Sequence, residues 1–238
     1  MTQNTENPTP HRLYGRRMGR RLHETRSHAL ETGLPELGIT LPENGGGIDP
    51  FSLFHMQVSE VWLEVGFGNG EHLIEQLKAN PNVGIIGCEP FMNGVSALLN
   101  DVPADMRGRL AIYPDDAAAL LDRLPENCIS RTFVLFPDPW PKKRHRKRRF
   151  IREENLDRLA RTMKDDAELR MGTDIRELGF WMFIHTARHG AFHFLQKGPH
   201  EWRRRTPDWP ETRYEQKGIA AGRRPVYLRF ARNLRQRP

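Results

Sequence analysis

The stretch FVLFPDPWPKKRHRKRRF holds a single carboxylate, Asp138, between Pro137 and Pro139 at the end of an apolar run. Proline on both sides restricts the backbone and excludes a helix, so Asp138 is expected on a stiff loop at the rim of the core. A carboxylate fixed in this way suits a reaction in which positive charge develops beside it. Trp140 follows with a flat ring, and the residues from Lys142 to Arg149 form an almost unbroken row of cations. Arg144, His145, Arg146, Lys147, Arg148 and Arg149 in such a row can grip several phosphates. Alone, the row would read as a solvated loop. Directly after a strand that presents a carboxylate, it reads as a polyanion grip.

A second group of residues lies upstream. LEVGFGNGEHL places Gly66, Gly68 and Gly70 in a G-x-G-x-G turn, one residue shorter than the dinucleotide fingerprint. Glu64 sits inside the apolar run before the turn, where an unpartnered carboxylate is costly and must answer a donor or a cation. Glu89 ends the next apolar run, where an acid accepts ribose hydroxyls. Asp116 ends the third and can receive an adenine amino group, with helix N-capping as its competing role. Carboxylates so close to the turn would repel a pyrophosphate. They suit a cationic ligand carrying an amino group and a sulfonium, and S-adenosylmethionine carries both.

The elements that must position these residues follow from periodicity. VWLEVG, NVGIIGCE, RLAIYPDD, ISRTFVLFP and DAELRMGTD read as strands, and helical patterns alternate with them. AFHFLQ and PVYLRFA read as two closing strands separated by a long polar loop. The expected fold is α/β, a mostly parallel seven-stranded sheet with helices on both faces and an antiparallel edge hairpin. One domain over residues 29–238 is expected, preceded by a basic, flexible arm over residues 1–28.

The chain of 238 residues carries a formal net charge of +7, and its pI of about 9.8 favours polyanionic partners. Cys88 and Cys128 lie in apolar stretches and read as buried thiols, consistent with a reducing, cytoplasmic setting. No apolar run is long enough to cross a bilayer. His185, His189 and His193 recur at helical spacing, but Gly190 interrupts them and no acid or cysteine joins them, so no metal site is expected. The run Phe180–Phe183 reads as core.

LEVGFGNG, GCEPFMNGV, LFPDPWPKKRHRKRRF, GTDIRELGFWM and ETRYEQKG resemble, in order and spacing, the bacterial tRNA (guanine-N7)-methyltransferase family. The resemblance covers nearly the whole chain and implies a Rossmann-like class I methyltransferase fold. It implies S-adenosylmethionine as donor, S-adenosylhomocysteine as product and tRNA as partner, with no metal, no membrane and a monomer or homodimer. Donor contacts are implied at Glu64, Glu89, Asp116 and Asp138 beside the loop glycines. Guanine or RNA contacts are implied at Lys142, Asp174, Thr212, Arg213, Tyr214 and Glu215, and tRNA backbone contacts at Arg144 to Arg149. Many relatives continue the Thr-Asp pair with tryptophan and an acid, whereas Ile175 and Arg176 follow Asp174 here. The implied reaction is methylation of N7 of guanosine 46 in the tRNA variable loop. The alternatives are methylation of another structured RNA and non-catalytic RNA binding on this fold.

Overall fold

The computed structural model describes residues 15–235. Helix α1 (Glu24–Leu37) opens the described chain and precedes β1 (Glu60–Val65), α2 (Glu71–Ala79), β2 (Val83–Cys88) and α3 (Met92–Asp101). The short α4 (Ala104–Arg107) leads to β3 (Leu110–Tyr113), α5 (Ala117–Leu121) and β4 (Ile129–Leu135). Then come α6 (Glu153–Thr162), β5 (Met163–Thr173), α7 (Arg176–Arg188), β6 (Phe192–Phe194), α8 (Arg213–Ala220) and β7 (Val226–Arg232).

The strands form one seven-stranded sheet in the order β3-β2-β1-β4-β5-β7-β6. β1 pairs in parallel with β2 and β4, β2 with β3, and β4 with β5. β7 lies antiparallel between β5 and β6, so the closing hairpin makes the edge. Strand periodicity sorts the core onto two faces. Val61, Leu63 and Val65 of β1 pack with Ala117 and Leu120 of α5, Leu156 and Leu159 of α6, and Met182 of α7. Trp62 points the other way, into the layer of Leu73 and Leu77 of α2 and Val95 and Leu98 of α3. Burying each of these Val, Leu and Met side chains contributes roughly 1.5–3 kcal/mol, which is why the apolar spacing dictates the element positions.

Besides the four-residue α4, two helices fall where periodicity predicts none. α8 occupies part of the span read as a polar loop, and α1 begins inside the span read as a basic arm. Residues 1–14 of that arm lie outside the described residues. The part within them is fastened to α3: Arg17 O accepts from Met92 N at 2.8 Å, and Asn93 bonds Gly19 N and Arg20 O. Cys88 and Cys128 are buried free thiols, as the sequence predicts. Of the aromatic run, Met182 is buried and Phe183 packs on Phe194 and Phe230, whereas Phe180 is 69% exposed.

Candidate active site

In an open sheet of this kind, ligands settle outside the carboxyl ends of the strands where the order reverses, here between β1 and β4. A cleft of ≈ 880 Å³ lies at that point. Its floor is the turn after β1. Gly66 and Gly68 adopt φ of +75° and +57°, and a Cβ on either would meet nothing within 4 Å. Both conditions favour glycine: the left-handed backbone, and a bare main chain that a ligand can touch. Gly70 has a different role. It caps α2 in the left-handed region and packs against Leu98, away from the cleft.

Glu89 holds this turn. One carboxylate oxygen accepts from Gly68 N and the other from Phe91 N, each at 2.9 Å. Burial raises its pKa, opposed by these two N–H bonds and assisted by the charges of Asp138 and Glu64. Each oxygen keeps a lone pair for a ligand hydroxyl. Asp116 lines the cleft and also caps α5, accepting from Ala118 N at 3.0 Å, so the capping role foreseen for it is real. Its neighbour Asp115 pairs with Arg17 at 2.8 Å, closing the cleft on that side with a segment the sequence reading did not place there. Glu64 lies beneath the turn rather than on the cleft wall. It is 2% exposed, and His72 of α2 meets it at 2.8 Å, which supplies the partner its burial demands.

The opposite wall is the loop after β4. Phe136 and Trp140 adopt φ of +48° and +39°, a region such residues rarely visit. Strain of this kind costs about 1–3 kcal/mol per residue and persists only where neighbours enforce it. Here Phe136 N donates to Gly172 O at 2.7 Å, and Tyr214 packs on the Phe136 ring at 5.4 Å. Arg149 donates to Pro139 O at 2.9 Å and to Trp140 O at 3.4 Å. Asp138, the residue so constrained, is exposed on the cleft wall. Among the described residues no hydrogen bond or ion pair engages its carboxylate, whereas Glu64, Glu89 and Asp116 all have partners.

The cationic row divides. Lys142, Lys143, Arg144 and Lys147 are exposed, on and beside a 3-10 turn over Lys143–Arg148. Arg146 pairs with Glu177 at 2.9 Å, and His145 and Arg148 lie against Trp140. Arg149 is 2% exposed, pairs with Glu177 at 3.0 Å and stacks on Trp181 at 4.8 Å. It therefore braces the Asp138 loop from inside and is set apart by its burial from the exposed cations of the row.

The residues expected to read the base lie near the same lip but not all at its surface. Lys142 and Tyr214 are exposed. Asp174 is 8% exposed and joined to Arg223. Thr212 caps α8 by accepting from Glu215 N at 3.2 Å, and Arg213 is held by Glu71. Glu215 is fully buried: Tyr227 OH donates to it and Arg205 pairs with it at 3.1 Å. Both partners engage Oε1 and fix the helix that carries Tyr214, while Oε2 is buried without a hydrogen-bond partner. The Thr-x-x-Glu spacing at residues 212–215 is a capping signal from which α8 could have been found. Each of the three histidines contacts a different residue: His189 meets Asp157, His193 meets Asn233 and His185 stacks on Trp181.

Strand order, glycine turn and acid-lined cleft together define a Rossmann-like methyltransferase. Solved structures agree on the fold: the 16S rRNA (adenine(1408)-N(1))-methyltransferase from Catenulisporales acidiphilia is 16% identical with a TM-score of 0.53, covering 84% of this chain and 99% of that one. Residues 59–228 match the family described as "Putative methyltransferase". The tRNA (guanine-N(7)-)-methyltransferase of Rhodospirillum rubrum is 45% identical over 97% of this chain and 91% of its own. That of Azorhizobium caulinodans is 42% identical over 98% and 100%. The chain belongs to the tRNA (guanine-N7)-methyltransferase family.

Proposed function

We propose that this chain transfers a methyl group from S-adenosylmethionine to N7 of guanosine 46 in tRNA, giving 7-methylguanosine without a metal. One observation carries the reading: an uncommitted carboxylate, Asp138, stands on a strained loop between a bare glycine turn and a row of exposed cations. The residues fit the donor. Gly66 and Gly68 leave backbone open to it, Glu89 offers lone pairs to ribose hydroxyls, and Asp116 faces the adenine end. When bound, the donor supplies an electrophilic methyl on a positive sulfur.

N7 of guanine carries a free lone pair and no proton, so no general base is required. Positive charge moves onto the purine as the methyl transfers, and the carboxylate of Asp138 stabilises it. Lys142, Lys143, Arg144 and Lys147 hold phosphates while the target base is drawn from its stack. Asp174 accepts from the N1–H and N2–H edge that distinguishes guanine from adenine, once Arg223 yields. The protein acts in the cytoplasm as a monomer or homodimer.

The test is incubation with methyl-labelled donor and transcribed tRNA, followed by mapping of the labelled nucleotide. Label at guanosine 46, lost in a transcript with adenosine there, supports the reading. Label elsewhere, or only in ribosomal RNA, rejects it. Two further results are expected. In chelator, calorimetry should detect donor binding by the protein alone, and Glu89→Ala should weaken it at least tenfold, because the turn and the ribose lose a shared anchor. Unchanged affinity would remove Glu89 from the donor site. Lys143→Ala/Arg144→Ala/Lys147→Ala should flatten the log–log salt dependence of tRNA binding by roughly 0.7–0.9 per lost phosphate contact. An unaltered slope would mean that these cations are only solvated.

A further inference from the structure

A second set of arginines stands on the far side of the same lip. The register Thr173↔Val226 puts the start of β7 at the carboxyl end of β5, beside the loop that carries Asp138. Arg224 precedes it. Arg203 is pinned there, its Nη1 donating to Arg224 O at 2.9 Å and to Pro225 O at 3.2 Å while its guanidinium stacks 4.1 Å over Trp202. The first turns of α7 press on the same point, since a Cβ on Gly179 would come within 2.9 Å of Val226. This brings Arg176 toward the pair.

Among the described residues no carboxylate pairs with Arg176, Arg203 or Arg224; Asp174 is taken by Arg223, and Glu177 by Arg146 and Arg149. Burial first, and then the charges of Arg224 and Arg176, lower the pKa of Arg203. Three unneutralised like charges repel one another, and Arg176 also stands at the positive end of a helix dipole. A structural role would favour neutralising them, whereas a polyanion would gain from all three.

We propose that Arg176, Arg203 and Arg224 form a second phosphate-binding patch that extends the Lys142–Arg148 row and carries the tRNA backbone past the mouth of the cleft. The proposal rests on the tRNA-methylation reading above. Continuity comes from α7: Glu177 turns to the row, and Arg176, about 100° around the helix, turns away from it. Phe180 lies one turn beyond Arg176 on the exposed face and offers an unpaired loop base a ring to stack on.

The experiment measures tRNA binding by fluorescence anisotropy across salt concentrations. The variants are Arg176→Gln/Arg224→Gln, which breaks no side-chain bond, and the triple variant that adds Arg203→Gln. The double variant should flatten the log–log slope by roughly 1.4–1.8 and the triple by roughly 2.1–2.7. Donor affinity by calorimetry and melting temperature should be unchanged in the double variant. Wild-type slope and affinity in both variants, with binding still weakened by loss of the Lys143, Arg144 and Lys147 charges, would overturn the patch and leave tRNA recognition standing. Loss in the triple variant alone, with lowered melting temperature, would trace to the Trp202 loop and also overturn it. Failure of the wild-type protein to bind tRNA in a salt-dependent way would overturn the functional reading itself.

Discussion

Asp138→Asn should slow single-turnover methylation of tRNA by roughly 100- to 1000-fold, the usual loss when one well-placed electrostatic stabiliser is removed. Asparagine keeps the size and much of the hydrogen bonding of the side chain and removes only its charge. The tRNA affinity should persist, because the exposed cations lie on the neighbouring turn. Asp138 is exposed in the free protein, so its field is screened by water there. A base and a donor seated in the cleft displace that water and strengthen the attraction as the purine becomes cationic. Two roles are separable. If Asp138 chiefly anchors the donor's amino group, saturating donor restores most of the rate; if it meets charge on guanine, the deficit persists at saturation. A variant within about twofold of the wild type, well under 1 kcal/mol of barrier, would show that the loop holds its aspartate for structure alone.

The parallel sheet was legible because its strands are short apolar runs and its helices carry their buried residues at 3.6-residue spacing, as in Leu73, Ile74 and Leu77. The glycine turn and the Pro-Asp-Pro loop were legible because both are statements about backbone freedom, which residue type controls directly. α1 escaped notice because its apolar residues form no clear stripe and Pro35 lies inside it. α8 was hidden by a polar composition, although Thr212 and Glu215 mark its start. Burial of individual charges was the least legible property. In sequence Glu215 and Asp138 are both acids within two residues of an aromatic ring, Tyr214 and Trp140 respectively. In the fold one is enclosed with Tyr227 and Arg205, and the other has no protein partner among the described residues. Tertiary partners decide that difference, and they come from Tyr227 and Arg205, distant in sequence from the signal that draws attention to the acid. The same holds for Arg149, which composition groups with its exposed neighbours.

Arg149→Ala should therefore lower stability and catalysis together while sparing the electrostatics of RNA binding. The guanidinium donates to Pro139 O and Trp140 O, pairs with Glu177 and stacks on Trp181. Hydrogen bonds to a charged donor contribute about 1.5–3 kcal/mol each, and the weaker second bond and the partial exposure of the carbonyls place the total near 3 kcal/mol. For a chain of this size that lowers the melting temperature by about 6–12 °C. The strained φ values at Phe136 and Trp140 then lose an enforcing contact, and the loop relaxes. Displacement of Asp138 by about 1 Å is sufficient for a rate loss on the order of 100-fold. Arg149→Lys should fall between, since an ammonium satisfies one carbonyl and cannot reproduce the planar stack. The salt slope of tRNA binding should match the wild type in both variants, because a residue 2% exposed releases no counterion from RNA. A flattened slope with an unchanged melting temperature would reverse the assignment and return Arg149 to the phosphate grip.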